Sequence, residues 1–162
     1  MGESGKRLRC ELLTPDGPVA EADAVSVTFP APDGLVGVLP GRAAMVAQIG
    51  HGPLTLHPPA GDVREFFVAG GYLRVRDDAV RVLAEECVPV ERLDRDAAWD
   101  AVQAAYELPA ATEEQETRRA ALLAKARSRF NLVQRRGRRL KEARRARLAA
   151  MGMSDEDEKI EE

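Results

Sequence analysis

Apolar and polar residues alternate in short runs over the first half of the chain. Leu8, Cys10 and Leu12 alternate with Arg7, Arg9 and Glu11, the period-two signature of a strand with one buried face. Thr14-Pro15-Asp16-Gly17 supplies a turn, because proline presets φ and glycine accepts a positive φ. Val25, Val27 and Phe29 alternate next and stop at Pro30 and Pro32. Leu54 and Leu56 follow Gly52-Pro53, and Pro58-Pro59-Ala60-Gly61 makes the next break. Val63 to Ala69 is a stronger apolar run, closed by Gly70-Gly71. Leu73 and Val75 alternate with Arg74 and Arg76, Asp77-Asp78 turns the chain, and Val80, Val82, Val88 and Val90 finish the set. Short strands with a turn roughly every eight to twelve residues predict an antiparallel sandwich or barrel over residues 1–91.

At Leu93 the period changes. Asp94 is placed to cap a helix, since its carboxylate can accept from the first free amides. Leu93, Ala97, Ala98, Ala101, Val102 and Ala105 recur at three and four, a small-residue stripe that Pro109 ends. Thr112-Glu113-Glu114-Gln115 matches a capping box and starts a second helix. Its seam steps through Leu123, Ala126, Phe130 and Val133 and resumes at Leu140. Gly137 interrupts that seam at a cost of up to ~1 kcal/mol relative to alanine, so the helix is expected to weaken or break there. The expected product is a helical hairpin over residues 92–150. Its alanine-rich contact buries little apolar area, worth ~25 cal/mol per Å², and can come apart. Residues 151–162 form an acidic tail with little to bury, expected to be disordered.

Composition sharpens this picture. Of 162 residues, 44% are hydrophobic but only 4% aromatic, so the core must be aliphatic. The net charge of -3 hides a strong segregation. Residues 1–91 carry 8 Lys/Arg against 13 Asp/Glu, and residues 92–117 carry 2 against 7. Residues 118–147 carry 13 against 1, and residues 148–162 carry 1 against 6. A single-sign field of that density argues for an anionic partner. Two cysteines without close spacing, Cys10 and Cys87, argue against a zinc site or disulfide scaffold. No apolar run approaches the ~20 residues of a membrane span, and no secretory signal is expected, which predicts a soluble protein without direct membrane insertion. His51 and His57 have no Ser, Cys or metal-ligand companion in the sequence, so neither is read as catalytic.

Gly34-Leu35-Val36-Gly37-Val38-Leu39-Pro40-Gly41, followed thirteen residues later by Leu54-Thr55-Leu56, carries a family resemblance. It resembles the Gly-x-x-Gly-Val/Ile-Leu/Tyr-Pro-Gly-His-Ala-Pro segment of ATP synthase epsilon subunits of the bacterial type. Leu13 to Val19 is similar to that family's first strand and turn, Phe67 to Leu73 to its Ser-Gly-Gly strand pair, and Val80 to Glu85 to its last strands. Leu93-Asp94 opens the first helix where the family does, so the collinear likeness spans roughly residues 7–135. The resemblance implies a β-sandwich of about ten antiparallel strands followed by a C-terminal helical hairpin. It implies a non-catalytic rotor subunit in the central stalk of a proton-translocating F-type synthase, on the cytoplasmic face of the bacterial cell membrane. Contacts with the gamma subunit and the membrane rotor ring through the β domain follow from it, as does the absence of an active site.

The resemblance also nominates residues. The Asp33 to Ala44 loop matches the family's ring-facing turn and places Asp33 and Arg42 at the edges of that contact. Here Arg42 stands where the family usually has His, and Leu35 at a commonly acidic position. Alternatively, Gly34, Gly37, Pro40 and Gly41 only shape a tight crossover. Some family members bind ATP at Ile/Leu-Asp-x-x-Arg/Lys-Ala. Leu93, Asp94 and Ala98 fit that pattern, but Ala97 occupies the basic position. Arg95 lies about 200° around the helix and does not substitute, so no nucleotide cofactor is expected. In the family the second helix meets an acidic segment of the catalytic alpha/beta subunits and blocks hydrolysis. Arg118, Arg119, Lys125, Arg127, Arg129, Arg135 and Arg136 are the candidates for that contact. The opposing view is a solvated charged face, or a nucleic-acid module using Gln134 to Lys141, although only Phe130 lies nearby to stack on bases. The acidic tail could itself fold back and mask the basic helix.

Overall fold

A computed structural model describes residues 5–151. The acidic segment beyond Met151, and the expectation attached to it, lie outside the described residues. Eight strands are formed: β1 (Leu8–Thr14), β2 (Gly17–Ala24), β3 (Ser26–Ala31), β4 (Gly34–Val38), β5 (Met45–Gln48), β6 (His51–His57), β7 (Arg64–Arg76) and β8 (Ala79–Pro89). A single 3-10 turn, Val90–Arg92, leads to α1 (Arg95–Tyr106) and α2 (Glu113–Ala150).

The expected ten strands become eight because two pairs are continuous. β7 runs unbroken through Gly70-Gly71, and β8 joins the runs around Val80 and Val88. On one edge β7 pairs with β6 from Arg64 to Ala69 and with β5 from Tyr72 to Val75. The long β7–β8 hairpin therefore passes through both layers of the sandwich, contributing a segment to each. One layer follows β5, β7, β8, β1 and β2; the other follows β8, β7, β6, β3 and β4. The pairing of β1 with β8 is parallel, a departure from the all-antiparallel expectation. Gly70 and Gly71 take φ of 68° and 97°, and a Cβ on Gly71 would lie 1.9 Å from the Leu83 carbonyl oxygen. Only glycine passes that point.

The alternation read from sequence matches the packing. Leu8, Cys10, Leu12, Val27, Phe29, Leu54, Leu56, Leu73, Val75, Val80 and Val82 all enter one buried cluster between the layers. Val63 to Ala69 lacks alternation for a physical reason. Phe66 and Val68 face that inner cluster, whereas Phe67 and Ala69 face outward into a second one beneath α2. Gly34–Val38 is a strand and not only a crossover, but an edge strand with Leu35 exposed, so its pattern was weak. Asp77 and Asp78, at φ of 50° and 57°, make the tight two-residue turn joining β7 to β8.

Both helix starts fit the capping expectations. The Asp94 carboxylate accepts from the Ala97 amide at 2.7 Å. Thr112 Oγ1 accepts from the Gln115 amide at 3.2 Å, while Gln115 Oε1 accepts from the Ala111 amide at 3.0 Å. The expected break at Gly137 does not occur, and α2 continues through it to Ala150. An exposed glycine lowers helix stability locally without removing a hydrogen bond, so neighbouring residues of high propensity carry the helix across it.

Candidate functional site

The hairpin does not stand apart from the sandwich. α2 lies across the outer face of β6 and β7, and Leu132, 1% exposed, enters a pocket of Phe67, Ala69, Val90 and Leu93. Charged and polar groups ring this plug. Arg129 Nη1 donates to Glu86 Oε1 at 2.7 Å, and Lys125 Nζ lies 2.7 Å from Glu86 Oε2, so one carboxylate holds two cations. The Arg129 guanidinium also lies 5.4 Å from the centre of the Phe67 ring. Arg136 donates to the Val90 carbonyl at 3.3 Å, Ser128 to the His51 carbonyl at 3.3 Å, and Arg139 lies 3.8 Å from Glu65.

A second face of α2 packs on α1. Ala126 is buried there, with Ala98, Val102 and Ala105 of α1. Phe130 sits 5.1 Å from Trp99, centre to centre, and Arg127 both stacks on and donates to Tyr106. Of the seam expected from spacing, Ala126 and Phe130 face α1, whereas Val133 packs against the Phe67–Leu132 cluster and Leu140, where the seam was expected to resume, is exposed. The sheet-facing stripe of Lys125, Ser128, Arg129, Leu132 and Arg136 was missed. Its spacing of three and four is helical, but with one apolar member it reads as surface. Glu86 gave no signal, because a lone acidic residue in a strand has many uses.

The structure thus divides the predicted basic contacts. Lys125, Arg129 and Arg136 turn to the sandwich, and Arg127 turns to α1. Arg118 and Arg135 are exposed and Arg119 is half-buried. A shallow groove of about 520 Å³ runs past Ser128, Asn131, Gln134, Arg135 and Arg138. Another, of about 560 Å³, gathers Arg95, Arg136, Arg138 and Lys141 around Val133 and Leu140. The nucleic-acid reading of Gln134 to Lys141 is weakened, because Arg136 and Arg139 reach to the sandwich.

Asp33 and Arg42 are not brought together. Asp33 lies in the β3–β4 turn, and Arg42 follows the other end of β4. The strand alone separates them by about 13 Å at 3.3 Å per residue. Arg42 belongs to a turn in which the neighbouring Gly41 amide donates to Asp78 Oδ1 at 2.6 Å, tying it to the β7–β8 turn. On the uncovered face of the first layer, Tyr72 pairs with Leu83 and Leu83 with Leu13, and Tyr72 and Leu83 are both more than half exposed.

Cys10 and Cys87 are buried free thiols; burial, aided at Cys10 by the Asp23 charge, pushes them from 9.0 up to about 12 and about 11. Among the described residues, no group of three or more His, Cys, Asp or Glu could hold a metal ion. None of the described helices is long and apolar enough to cross a membrane.

Fold and seam together define a class: a β-sandwich with a helical hairpin docked on one outer face. Residues 7–90 match a family model described as the ATP synthase, Delta/Epsilon chain, beta-sandwich domain. The chain is 39% identical over 108 residues to the ATP synthase epsilon chain of Rhodopirellula baltica, covering 67% of this chain and 84% of that one. It is 35% identical over 129 residues to the ATP synthase epsilon chain of Bacillus pumilus, covering 79% and 98%. A chain in the Euglena gracilis mitochondrial ATP synthase structure shares the fold, with a TM-score of 0.68 at 22% identity over 78% of this chain and 81% of that one. One in the Tetrahymena thermophila central stalk and c-ring structure gives 0.60 at 14% identity over 82% and 99%. The chain belongs to the ATP synthase delta/epsilon chain family. Members are non-catalytic subunits, so the chemistry of the complex lies on other chains.

Proposed function

We propose that this chain is a central-stalk rotor subunit of a proton-translocating F-type ATP synthase, coupling the catalytic head to the membrane ring and braking ATP hydrolysis through α2. Family membership supports the stalk role, as does the likeness in fold to chains of a mitochondrial F1/c-ring assembly and a central stalk/c-ring assembly. The observation that carries the brake is the double use of α2. Lys125 and Arg129 are held by Glu86 in the docked hairpin, so an acidic segment of alpha/beta can claim them only when the hairpin leaves the sheet. Arg118, Arg119, Arg127, Arg135 and Arg136 complete that surface.

The uncovered face around Tyr72 and Leu83 is offered to the gamma subunit, an amphipathic patch suited to a protein partner. Asp33 and Arg42 bracket β4 and are offered to the ring from its two ends. The complex would place this chain peripherally at the cytoplasmic face of the bacterial cell membrane. No nucleotide is assigned to the hairpin, because Ala97 brings no cation to the start of α1. The test is truncation after Leu108 in the assembled enzyme. Hydrolysis should rise while proton coupling persists. Unchanged hydrolysis with normal coupling would remove the brake and leave the stalk role.

A further inference from the structure

We propose that Asp78 is a positioning residue: its carboxylate locks the turn from Leu39 to Arg42 in one form and so fixes the direction in which that turn meets a ring subunit. The proposal rests on the reading of Arg42 as a ring contact. The Arg42 amide donates to the Leu39 carbonyl at 3.2 Å, Pro40 takes the second position, and Gly41 takes the third with φ of 81°. That combination is a type II turn, which differs from the commoner type I by a flip of its central peptide. The N–H of that peptide belongs to Gly41, and it donates to Asp78 Oδ1 at 2.6 Å, 37 residues away in sequence. A flip to type I would swing this N–H away from the carboxylate, so the bond selects between the two forms. A Cβ on Gly41 would meet nothing within 4 Å, so glycine serves the backbone conformation there and not a close approach.

The anchor is itself held. The Asp78 carbonyl accepts from the Arg9 amide at 2.8 Å, which fixes its backbone to β1 as well as to the β7–β8 turn. Asp77 and Asp78 take φ of 50° and 57°, where Asn-Gly is the pair of least strain. Strain of this kind persists where the side chain has a use. Asp77 lies 3.4 Å from Arg76, while Asp78 reaches the other loop with an ionised acceptor, stronger than a neutral one. The turn so held presents Leu39, 63% exposed, and the exposed Arg42. First and last Cα atoms of a turn lie within about 7 Å, so an apolar group and a permanent cation stand next to each other. Such a pair fits a ring-subunit loop carrying a carboxylate beside an apolar side chain.

The test pairs two substitutions at Asp78 with one at Arg42. Asp78→Gly keeps the positive φ and removes the carboxylate, whereas Asp78→Asn keeps an acceptor oxygen in place. In the isolated full-length chain, Asp78→Gly should speed exchange of the Gly41 amide about tenfold without lowering the urea midpoint, and Asp78→Asn should restore most of the protection. In the assembled synthase, Asp78→Gly should lower ATP-driven proton pumping per ATP hydrolysed by about threefold, as Arg42→Ala does, with Asp78→Asn again restoring most of it. Unchanged Gly41 exchange in Asp78→Gly would overturn the proposal, as would a pumping loss that Asp78→Asn does not repair. Pumping that falls in Arg42→Ala but not in Asp78→Gly would overturn it while leaving the ring contact standing. Pumping that falls in neither would remove the ring contact itself, and the proposal with it.

Discussion

The inner face of the sandwich and the outer face beneath α2 both bury apolar side chains, yet they hold their partners by different means. The inner cluster joins eighteen buried residues, Ile49 from the β5–β6 connection and the others from every strand but β5, including Phe29, Phe66 and Leu12. The outer one has five, Phe67, Ala69, Val90, Leu93 and Leu132, and relies on a rim of ion pairs. Apolar burial is insensitive to salt and to the identity of nearby anions, whereas a rim of partly exposed charges can be traded for another acidic surface. One face suits permanence and the other exchange.

The largest test of that contrast compares two truncations. Phe29→Ala should cost about 3–5 kcal/mol and lower the urea midpoint of the whole β domain. Leu132→Ala should cost about 2–5 kcal/mol but mainly at the seam, speeding amide exchange in α2 while the sandwich midpoint stays put. Equal shifts in the sandwich midpoint for both variants would show one cooperative unit and erase the distinction. Next comes Glu86→Gln, which strips both Lys125 and Arg129 of their partner. The three side chains are 23%, 42% and 33% exposed, so about 1 kcal/mol of docking is expected, shrinking with added salt. Docking measured by Trp99 fluorescence that ignores both the substitution and the salt would assign the rim no role.

Smaller effects follow. Gly137→Ala meets open space and should add up to about 1 kcal/mol to the helix, read as slower exchange around it without any change at the seam. Last is a pH effect confined to the inner core. The folded thiols hold their protons up to about 12 at Cys10 and about 11 at Cys87, while unfolded thiols ionise from about 9. The unfolded state therefore loses protons first, and sandwich stability should be unaffected near neutrality and fall as pH rises above about 9. Alkaline urea melts that stay flat to pH 11 would contradict this.

The sandwich was legible because Leu8 to Leu12, Leu73 to Arg76 and Val80 to Val82 alternate, as a half-buried strand requires. The edge strand β4 was not, since Leu35 and Gly37 at exposed positions break the pattern. The α1–α2 contact was legible through its small-residue spacing. The sheet-facing side of α2 was hidden because its groups are mostly charged, and charge on a helix ordinarily signals solvent. Only the fold reveals that Glu86 waits opposite, 39 residues before Lys125. Asp33 and Arg42, expected at the edges of one contact, stand beyond opposite ends of β4.

The passage of β7 and β8 through both layers has a mechanical consequence. Two separate stacked sheets can slide past one another by repacking side chains, a soft response. Here lateral displacement of one layer would stretch covalent chain through Gly70-Gly71 and break backbone hydrogen bonds of the long hairpin. The sandwich is therefore stiff to sliding of one layer over the other.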